Sequence, residues 1–153
     1  MTSNSTTEPL STTETTHTST KSTTTTTSST PSPTAQIIIA YFTEGFSSEW
    51  AVYASDIGDT PDWCDGSHGV WKASDHISLD NVPYPDGHHK FDFKIDKMSK
   101  CSYSGSSDGA GKLSCPEFSS DVECSKYAHQ KETICYAVAD AMIVYPKVVC
   151  QWA

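Results

Sequence analysis

The 153-residue sequence contains no arginine, and lysine supplies all ten of its basic residues. Nineteen acidic residues outnumber them and set the formal net charge at −9. Phosphate backbones are bound by clustered Lys or Arg, so we expect no nucleic acid partner. Anionic membrane surfaces are excluded as a partner class for the same reason. Neutral polymers, cations and basic proteins remain open as partners.

Long apolar runs are also missing. The most apolar stretch, Ile37–Ile39, is far too short to cross a bilayer, which takes about 20 apolar residues. Polar residues follow Met1 directly, so the apolar core of a signal peptide is missing. We therefore expect the chain to be a piece of a larger secreted protein, or to be truncated.

Catalytic and zinc-binding motifs are absent as well. The sequence has no Gly-x-Ser-x-Gly, no His-Glu-x-x-His and no Cys-x-x-Cys. Pairs of acidic residues for glycoside hydrolysis stay open, because two carboxylates at the required separation leave no local signature. We expect a non-enzymatic protein with no catalytic residue and no cofactor.

Two clusters invite a metal interpretation. Four loop carboxylates have the hard oxygens that calcium prefers, but their spacing does not match a calcium loop and turn chemistry explains them equally well. They are Asp56, Asp59, Asp62 and Asp65. His88 and His89 are adjacent, so on a strand they point to opposite faces and cannot chelate one ion together. His68 or His76 could join either one, but we expect no metal site.

The first 34 residues differ sharply from the rest. Twenty-four of them are Ser or Thr, and none is Cys or aromatic. Such a tract cannot bury enough apolar surface to offset the entropy of ordering, so it is predicted to be disordered. Its composition is typical of an O-glycosylated stalk, and Asn4 begins an N-glycosylation sequon. Residues 35–153 then form one disulfide-rich domain.

All six cysteines lie in that domain. Behind a glycosylated stalk, an even count predicts three disulfides in a secreted protein. Six cysteines allow 15 pairings, among which the sequence does not choose. The expected set is two local staples and one bond between the ends of the domain: Cys101–Cys115, Cys124–Cys135 and Cys64–Cys150.

Short strands dominate the rest of the pattern. Residues 37–42 form a β-branched and aromatic run typical of a buried strand, and 46–55 is expected to pair with it as a hairpin. Period-two alternation is clearest in Phe91–Asp96. Residues 141–152 are predicted to be strand with an interruption at Tyr145–Pro146. The whole predicts a mostly β fold: a small disulfide-stapled antiparallel sandwich or barrel with little helix.

Exposed aromatics supply the candidate ligand site. Trp63 and Trp71 flank polar loops, and indole rings stack on the C–H faces of sugars. We predict that they form a stacking surface and that Asp62, Tyr84 and Asp86 orient the sugar hydroxyls. The alternative is that the tryptophans belong to the core, which is expected for Trp50 and Trp152 and stays open for Trp63 and Trp71.

Four stretches resemble modules at the C-terminal ends of secreted fungal chitinase-type proteins: Tyr53–Asp59 with Cys64, Asn81–Pro85, Cys101–Gly105 and Cys150–Trp152. In those proteins a Ser/Thr stalk carries a small acidic disulfide module, and the likeness covers about residues 36–153. The resemblance implies an extracellular, glycan-facing role. No active-site string of the chitinases occurs, so it implies no catalysis.

The function predicted from these observations is that of a non-catalytic extracellular accessory module. It would bind cell-wall polysaccharide of the chitin or glucan class as a monomeric part of a larger protein. Two alternatives stay open: a secreted effector or toxin-like protein that binds a protein partner through its acidic face, and a purely structural wall domain.

Overall fold

The computed structural model describes residues 32–65, 67, 69–73, 77–136 and 141–153. The predicted stalk, with its sequon at Asn4, therefore lies almost wholly outside the described residues. His68 and His76, the two histidines considered as additional metal ligands, lie outside them too.

The described part of the chain consists of strands joined by turns and one 3₁₀ turn at Leu79–Asn81. The strands are β1 (Ala35–Glu44), β2 (Ser47–Asp56), β3 (Gly69–Lys72), β4 (Gly87–Lys90), β5 (Ser102–Ser106), β6 (Gly109–Ser114), β7 (Val122–Lys126), β8 (Thr133–Tyr136) and β9 (Ala141–Trp152). All pairs between them are antiparallel. This confirms the predicted mostly β class.

The strands form one strongly curved sheet in the order β3-β2-β1-β9-β7-β6-β5-β4. It is nearly closed into a barrel, and three disulfides staple it. The β8 strand lies off this path and pairs with the first residues of β9. Of the two predicted architectures, sandwich and barrel, the structure has the barrel.

The β1–β2 hairpin forms as the sequence predicts. Its two-residue loop begins at Gly45, which has a φ of 55°. A positive φ at the first loop position is what a type II′ turn requires, and glycine adopts it without steric cost. The hairpin thereby sets the register of ten consecutive residue pairs between β1 and β2, without a bulge.

Both faces of β1 are buried, which explains its continuous apolar run. Ile37, Ile39 and Tyr41 point to the inner face, where the main core packs. Ala40 points to the outer face, where a second cluster packs. That outer cluster also contains Ala51, Tyr53, Cys135 and Val144, with Phe42, Trp63 and Met142 packed against it.

Two of the three expected disulfides are wrong. Cys101–Cys115 is confirmed, but the other bonds are Cys64–Cys135 and Cys124–Cys150. Cys124 and Cys150 are direct partners across β7 and β9, 4.2 Å apart at Cα. Such opposed positions bring Cβ atoms within bonding range. The bond from Cys64 instead fastens the loop after β2 to the outer face.

The most regular alternating stretch, Phe91–Asp96, is not a strand. Phe91 and Ile95 are buried as the alternation predicts. The chain turns back immediately, however, because Ile95 and Met98 exchange backbone hydrogen bonds of 3.0 and 2.9 Å. A φ of 54° at Asp96 makes this reversal. The segment connects β4 to β5. It contributes Phe91 to the main core and packs Phe93 against that core.

The expected interruption of β9 is also absent, because the strand is continuous across Tyr145–Pro146. Its pairing with β1 shifts at Ile39/Ala40, where Val148 and Pro146 are successive partners. Lys147 is therefore the extra residue of a β-bulge. A bulge accommodates a proline that cannot donate a ladder hydrogen bond.

Candidate functional site

The five predicted ligand residues fall into two groups on opposite faces of the sheet. Trp71 pairs in register with Trp50 and shares its inner face. Trp63 packs against the outer cluster. The structure therefore does not bring the two indoles together in one stacking surface.

The inner group surrounds Tyr103. Trp71 stacks on His89 with ring centroids 4.4 Å apart, which covers one face of the indole. The Nε2 atom of His89 lies 2.7 Å from the carbonyl oxygen of Asp86. Tyr84 lies under the ammonium of Lys147, which is 4.8 Å from its ring centroid. Trp71, Tyr84 and Asp86 thus lie in one group, as predicted for a ligand site. Their described contacts, however, are with His89 and Lys147 of the protein itself.

Tyr103 holds this group in place. Its hydroxyl donates toward the carbonyl oxygens of Ala110 at 2.9 Å and Pro85 at 3.2 Å. Burial raises the pKa of the phenol, and the negative charge of Asp86 and the neighbouring Tyr84 add to the rise. The phenol therefore stays neutral and acts as a donor that fastens the loop before β4 to the β5–β6 hairpin.

The outer group is a chain of aromatic rings. Tyr53 and Trp63 meet edge to face with centroids 5.0 Å apart, and Trp63 and Tyr127 meet edge to face at 6.1 Å. The Tyr53 hydroxyl donates to the carbonyl oxygen of Trp63 at 3.0 Å. Asp62 accepts a hydrogen bond from the backbone of Cys64 at 3.0 Å, so it shapes the turn. These contacts hold Trp63 in place, and Trp63 in turn packs against Tyr127.

Tyr127 forms one wall of an open groove on the outer face, with a volume of ≈ 350 Å³. The opposite wall is the loop after β2, and the floor comes from β1, β7 and β9. The lining residues are Gln36, Gly58, Asp59, Thr60, Ser125, Lys126, Tyr127, Ala128, His129, Val149 and Gln151. We call this the outer groove.

Two amide side chains form the polar floor of the outer groove. Gln36 is buried, and its Nε2 atom donates to Ser55 Oγ at 3.1 Å and to the Asp56 carbonyl at 3.3 Å. Its Oε1 atom accepts from Nε2 of Gln151 at 3.0 Å. Gln151 is exposed, and among the described residues nothing donates to its Oε1 atom. It therefore presents a fixed acceptor to a ligand.

The groove is nearly neutral in a protein of net charge −9. Its lining has one carboxylate, Asp59, and one ammonium, Lys126. Amides, hydroxyls and one aromatic wall suit a neutral ligand rich in hydroxyl groups. No group of three metal-ligating side chains occurs among the residues that the structure describes.

Sequence reasoning missed the groove residues because they lie far apart in the chain. Gln36 and Gln151 are 115 positions apart, and they meet only because β1 pairs with β9. Tyr127 follows β7 directly, and it meets the floor of the groove only because β7 pairs with β9. The two predicted histidines also separate: His88 contacts Ser104 at 2.6 Å, while His89 stacks on Trp71.

Comparison with protein-family models, with curated proteins and with solved structures gave no match. Within the described residues there is no helix long and apolar enough to cross a membrane. The chemistry of the outer groove and of the aromatic rings beside it is therefore what indicates a ligand class.

Alkaline pH should destabilise the outer cluster through Tyr53. Burial and the charge of Asp62 raise the pKa of this phenol from 10.0 to about 12. The folded state then holds the proton more tightly than the unfolded chain, so the stabilisation is complete below pH 10 and is lost as pH rises toward 12. Denaturant unfolding at neutral pH and at about pH 11 should show the loss.

The matched variant is Tyr53→Phe, which keeps the ring contacts and removes the titrating group. It should lose roughly 1 kcal/mol at neutral pH for the missing hydrogen bond. Its stability should then fall less steeply than that of the wild type on the alkaline side. An equal alkaline loss in both proteins would show that Tyr53 does not carry the effect.

Proposed function

We propose that the protein is a non-catalytic extracellular module that binds a neutral cell-wall polysaccharide, of the chitin or glucan class, in the outer groove. The observation that carries the proposal is the Gln36–Gln151 amide floor beside the Tyr127 wall. Amide groups match vicinal hydroxyls as both donors and acceptors. An aromatic wall matches the apolar C–H face of the same sugar ring.

The rigidity of the groove supports the proposal. Gln36 is held at three acceptor atoms of β2 and the loop that follows it: Ser55 Oγ, the Asp56 carbonyl and the Asp59 carbonyl. The Tyr127 ring is contacted edge to face by Trp63, which Tyr53 contacts in turn. A preorganised site loses little conformational entropy when its ligand binds. Hydroxyl-rich ligands need such preorganisation because each of their hydrogen bonds replaces one made to water.

The cellular setting is part of the same proposal. Six cysteines form three disulfides, which persist in oxidising compartments. We propose that the module is secreted, carries glycans on its Ser/Thr stalk and Asn4, and works at a cell wall as a monomeric part of a larger protein. Its acidity then serves solubility in that medium.

Removing the groove's ligand-facing groups should weaken binding without unfolding the domain. Gln151→Ala should lower affinity for soluble chitin or glucan oligosaccharides about fivefold, the equivalent of one hydrogen bond. Tyr127→Ala should lower it by about tenfold through loss of the aromatic wall. Isothermal titration calorimetry on the full chain, secreted from a eukaryotic host, measures both.

Asn81→Ala is the matched control, because it removes an exposed amide from the 3₁₀ turn outside the outer groove. Its affinity should equal that of the wild type. Binding should also be nearly independent of salt, since a neutral ligand offers no charge to screen. A steep salt dependence would instead favour the alternative of a basic protein partner at the acidic surface. Undiminished affinity of the Tyr127 variant would refute the groove as the site.

A further inference from the structure

Among the described residues, no strand covers the inner face of the sheet at the end where β1 stops. One row of side chains crosses four strands there, in the order β2, β1, β9 and β8. The row is Ser48, Thr43, Ile143 and Ile134, in which each residue is the register partner of the next. None of the four is buried. We call this row the shelf.

An exposed aromatic ring stands at each end of the shelf. Phe46 belongs to the β1–β2 turn and is 108% exposed, and Tyr136 ends β8 and is 86% exposed. Phe46 lies two residues beyond Ser48, and Tyr136 lies two residues beyond Ile134, in both cases toward the open end. With strands about 4.8 Å apart, the two rings are separated by roughly 10–14 Å across β9 and β1.

Phe46 has no role in forming the turn that carries it. The positive φ falls on Gly45, and the second loop position of such a turn is usually a small polar residue. The phenyl ring is fully exposed, yet it borders an open hollow of ≈ 430 Å³ whose lining includes Tyr41, Thr43 and Ser48 on the sheet and residues 77–79 beside it. The ring is therefore free to contact a ligand that enters the hollow.

At the other end of the shelf, β8 also carries apolar side chains that are not buried. It is four residues long, and alternation sends Cys135 to the outer cluster while Ile134 and Tyr136 point inward. Those two inward side chains remain 46% and 86% exposed because no strand packs opposite them within the described residues. The strand therefore widens the open inner face without adding to the main core.

We infer that the shelf is a second glycan-contacting surface, which takes the flat face of an extended neutral polysaccharide chain between Phe46 and Tyr136. Hydroxyls of Ser48 and Thr43 face the sugar hydroxyls, and the methyl groups of Ile143 and Ile134 face the C–H surface. The ligand class rests on the proposed function, whereas the site is separate from the outer groove.

Two sites on one small domain imply a further activity, the bridging of polysaccharide chains. The outer groove lies on the outer face near Gln36, and the shelf lies on the inner face near Thr43. Seven residues of β1 separate them, or about 23 Å along the strand. Each site can then hold a different chain, and the domain acts as a cross-link.

A neutral polymer fits the charges better than other occupants. The four side chains of the shelf and the two rings at its ends carry no charge, while Glu44 and Glu49 alternate with Thr43 and Ser48 and so point to the outer face. The shelf therefore offers no ammonium group to an anionic lipid headgroup. A second copy would bring its own net charge of −9 against the same net charge. A glycan brings no charge that would be repelled.

The test compares two variants of the full chain with the wild type. Phe46→Ala with Tyr136→Ala removes both rings, and Val70→Ala removes an exposed apolar side chain from β3 as the matched control. The variant that lacks both rings should bind insoluble chitin or β-glucan particles about tenfold more weakly than the wild type. Val70→Ala should bind as the wild type does. All proteins should unfold at the same denaturant concentration.

Bridging is measured as protein-dependent turbidity of a long soluble glucan. The wild type and Val70→Ala should aggregate it, while the ring variant should not, although its affinity for short oligosaccharides in the groove is retained. Unchanged turbidity or particle binding of the ring variant overturns the inference, as does a wild type that binds lipid vesicles or dimerises through these rings. If Tyr127→Ala keeps oligosaccharide affinity and the ring variant loses it, the groove proposal fails and the shelf stands.

Discussion

Replacing Gly111 with alanine should lower the free energy of unfolding by about 2–5 kcal/mol. Gly111 lies in β6 with a φ of 74°, a conformation that costs other residues about 1–2 kcal/mol. An added Cβ would also lie 2.3 Å from the Ser104 carbonyl oxygen and 2.8 Å from Gly105 Cα. Both contacts are with backbone, so relief requires the β5–β6 hairpin to shift, at about 1–3 kcal/mol more.

Gly58→Ala is the matched control for that experiment. Its φ of 92° is also positive, but a Cβ there would meet nothing within 4 Å. It should therefore show the backbone cost alone, about 1–2 kcal/mol. Urea unfolding of both variants measures the difference. Equal losses would mean that the hairpin moves freely to make room, contrary to the close packing around Tyr103.

The β1–β2 hairpin and the Cys101–Cys115 bond could be predicted because each depends on residues close together in the sequence. Residues 37–42 form a continuous run of apolar, mostly β-branched and aromatic side chains, which is typical of a strand buried on both faces. Gly45 then provides the turn to the next strand. The β1–β2 hairpin could therefore be predicted with nearly correct bounds. Cys101–Cys115 could be predicted too, because it closes one hairpin across 14 positions.

Long-range order could not be predicted in the same way. The alternation in Phe91–Asp96 correctly predicted which of Phe91 and Asp92 is buried, yet burial does not require a ladder partner. The positive φ at Asp96 reversed the chain before a strand could form. The Cys124–Cys150 bond depends on β7 lying beside β9, and the Cys64–Cys135 bond depends on β8 pairing with β9 near the loop after β2. No local pattern encodes either arrangement.

The candidate site shows the same division. Trp63 was predicted to be a ligand-stacking residue in a polar loop, but its indole packs against the outer cluster and contacts Tyr127, which lines the groove. Trp71 and Trp63 are only eight positions apart, yet strand alternation and a loop crossing put them on opposite faces. Proximity in sequence was therefore a poor guide to a shared surface, and register was the missing information.

Removing the Cys64–Cys135 bond should cost more stability than removing Cys101–Cys115. The two bonds close sequence separations of 71 and 14 residues. The chain-entropy relation gives about 4 kcal/mol for the longer loop and about 3 kcal/mol for the shorter one. Paired Cys→Ala variants avoid leaving a lone thiol, and denaturant unfolding measures both losses.

The longer bond should also be the one that matters to the outer groove. Cys64 follows Trp63 directly and anchors the loop that carries Gly58, Asp59 and Thr60 to the outer cluster. Without the bond, Trp63 should loosen from Tyr53, and oligosaccharide affinity should fall even where the domain remains folded. The Cys101–Cys115 variant, whose bond lies outside the groove lining, is the internal control and should keep its affinity. A larger stability loss for the shorter bond, or equal affinities in the two variants, would mean that the Tyr53–Trp63–Tyr127 ring contacts hold the loop without the disulfide.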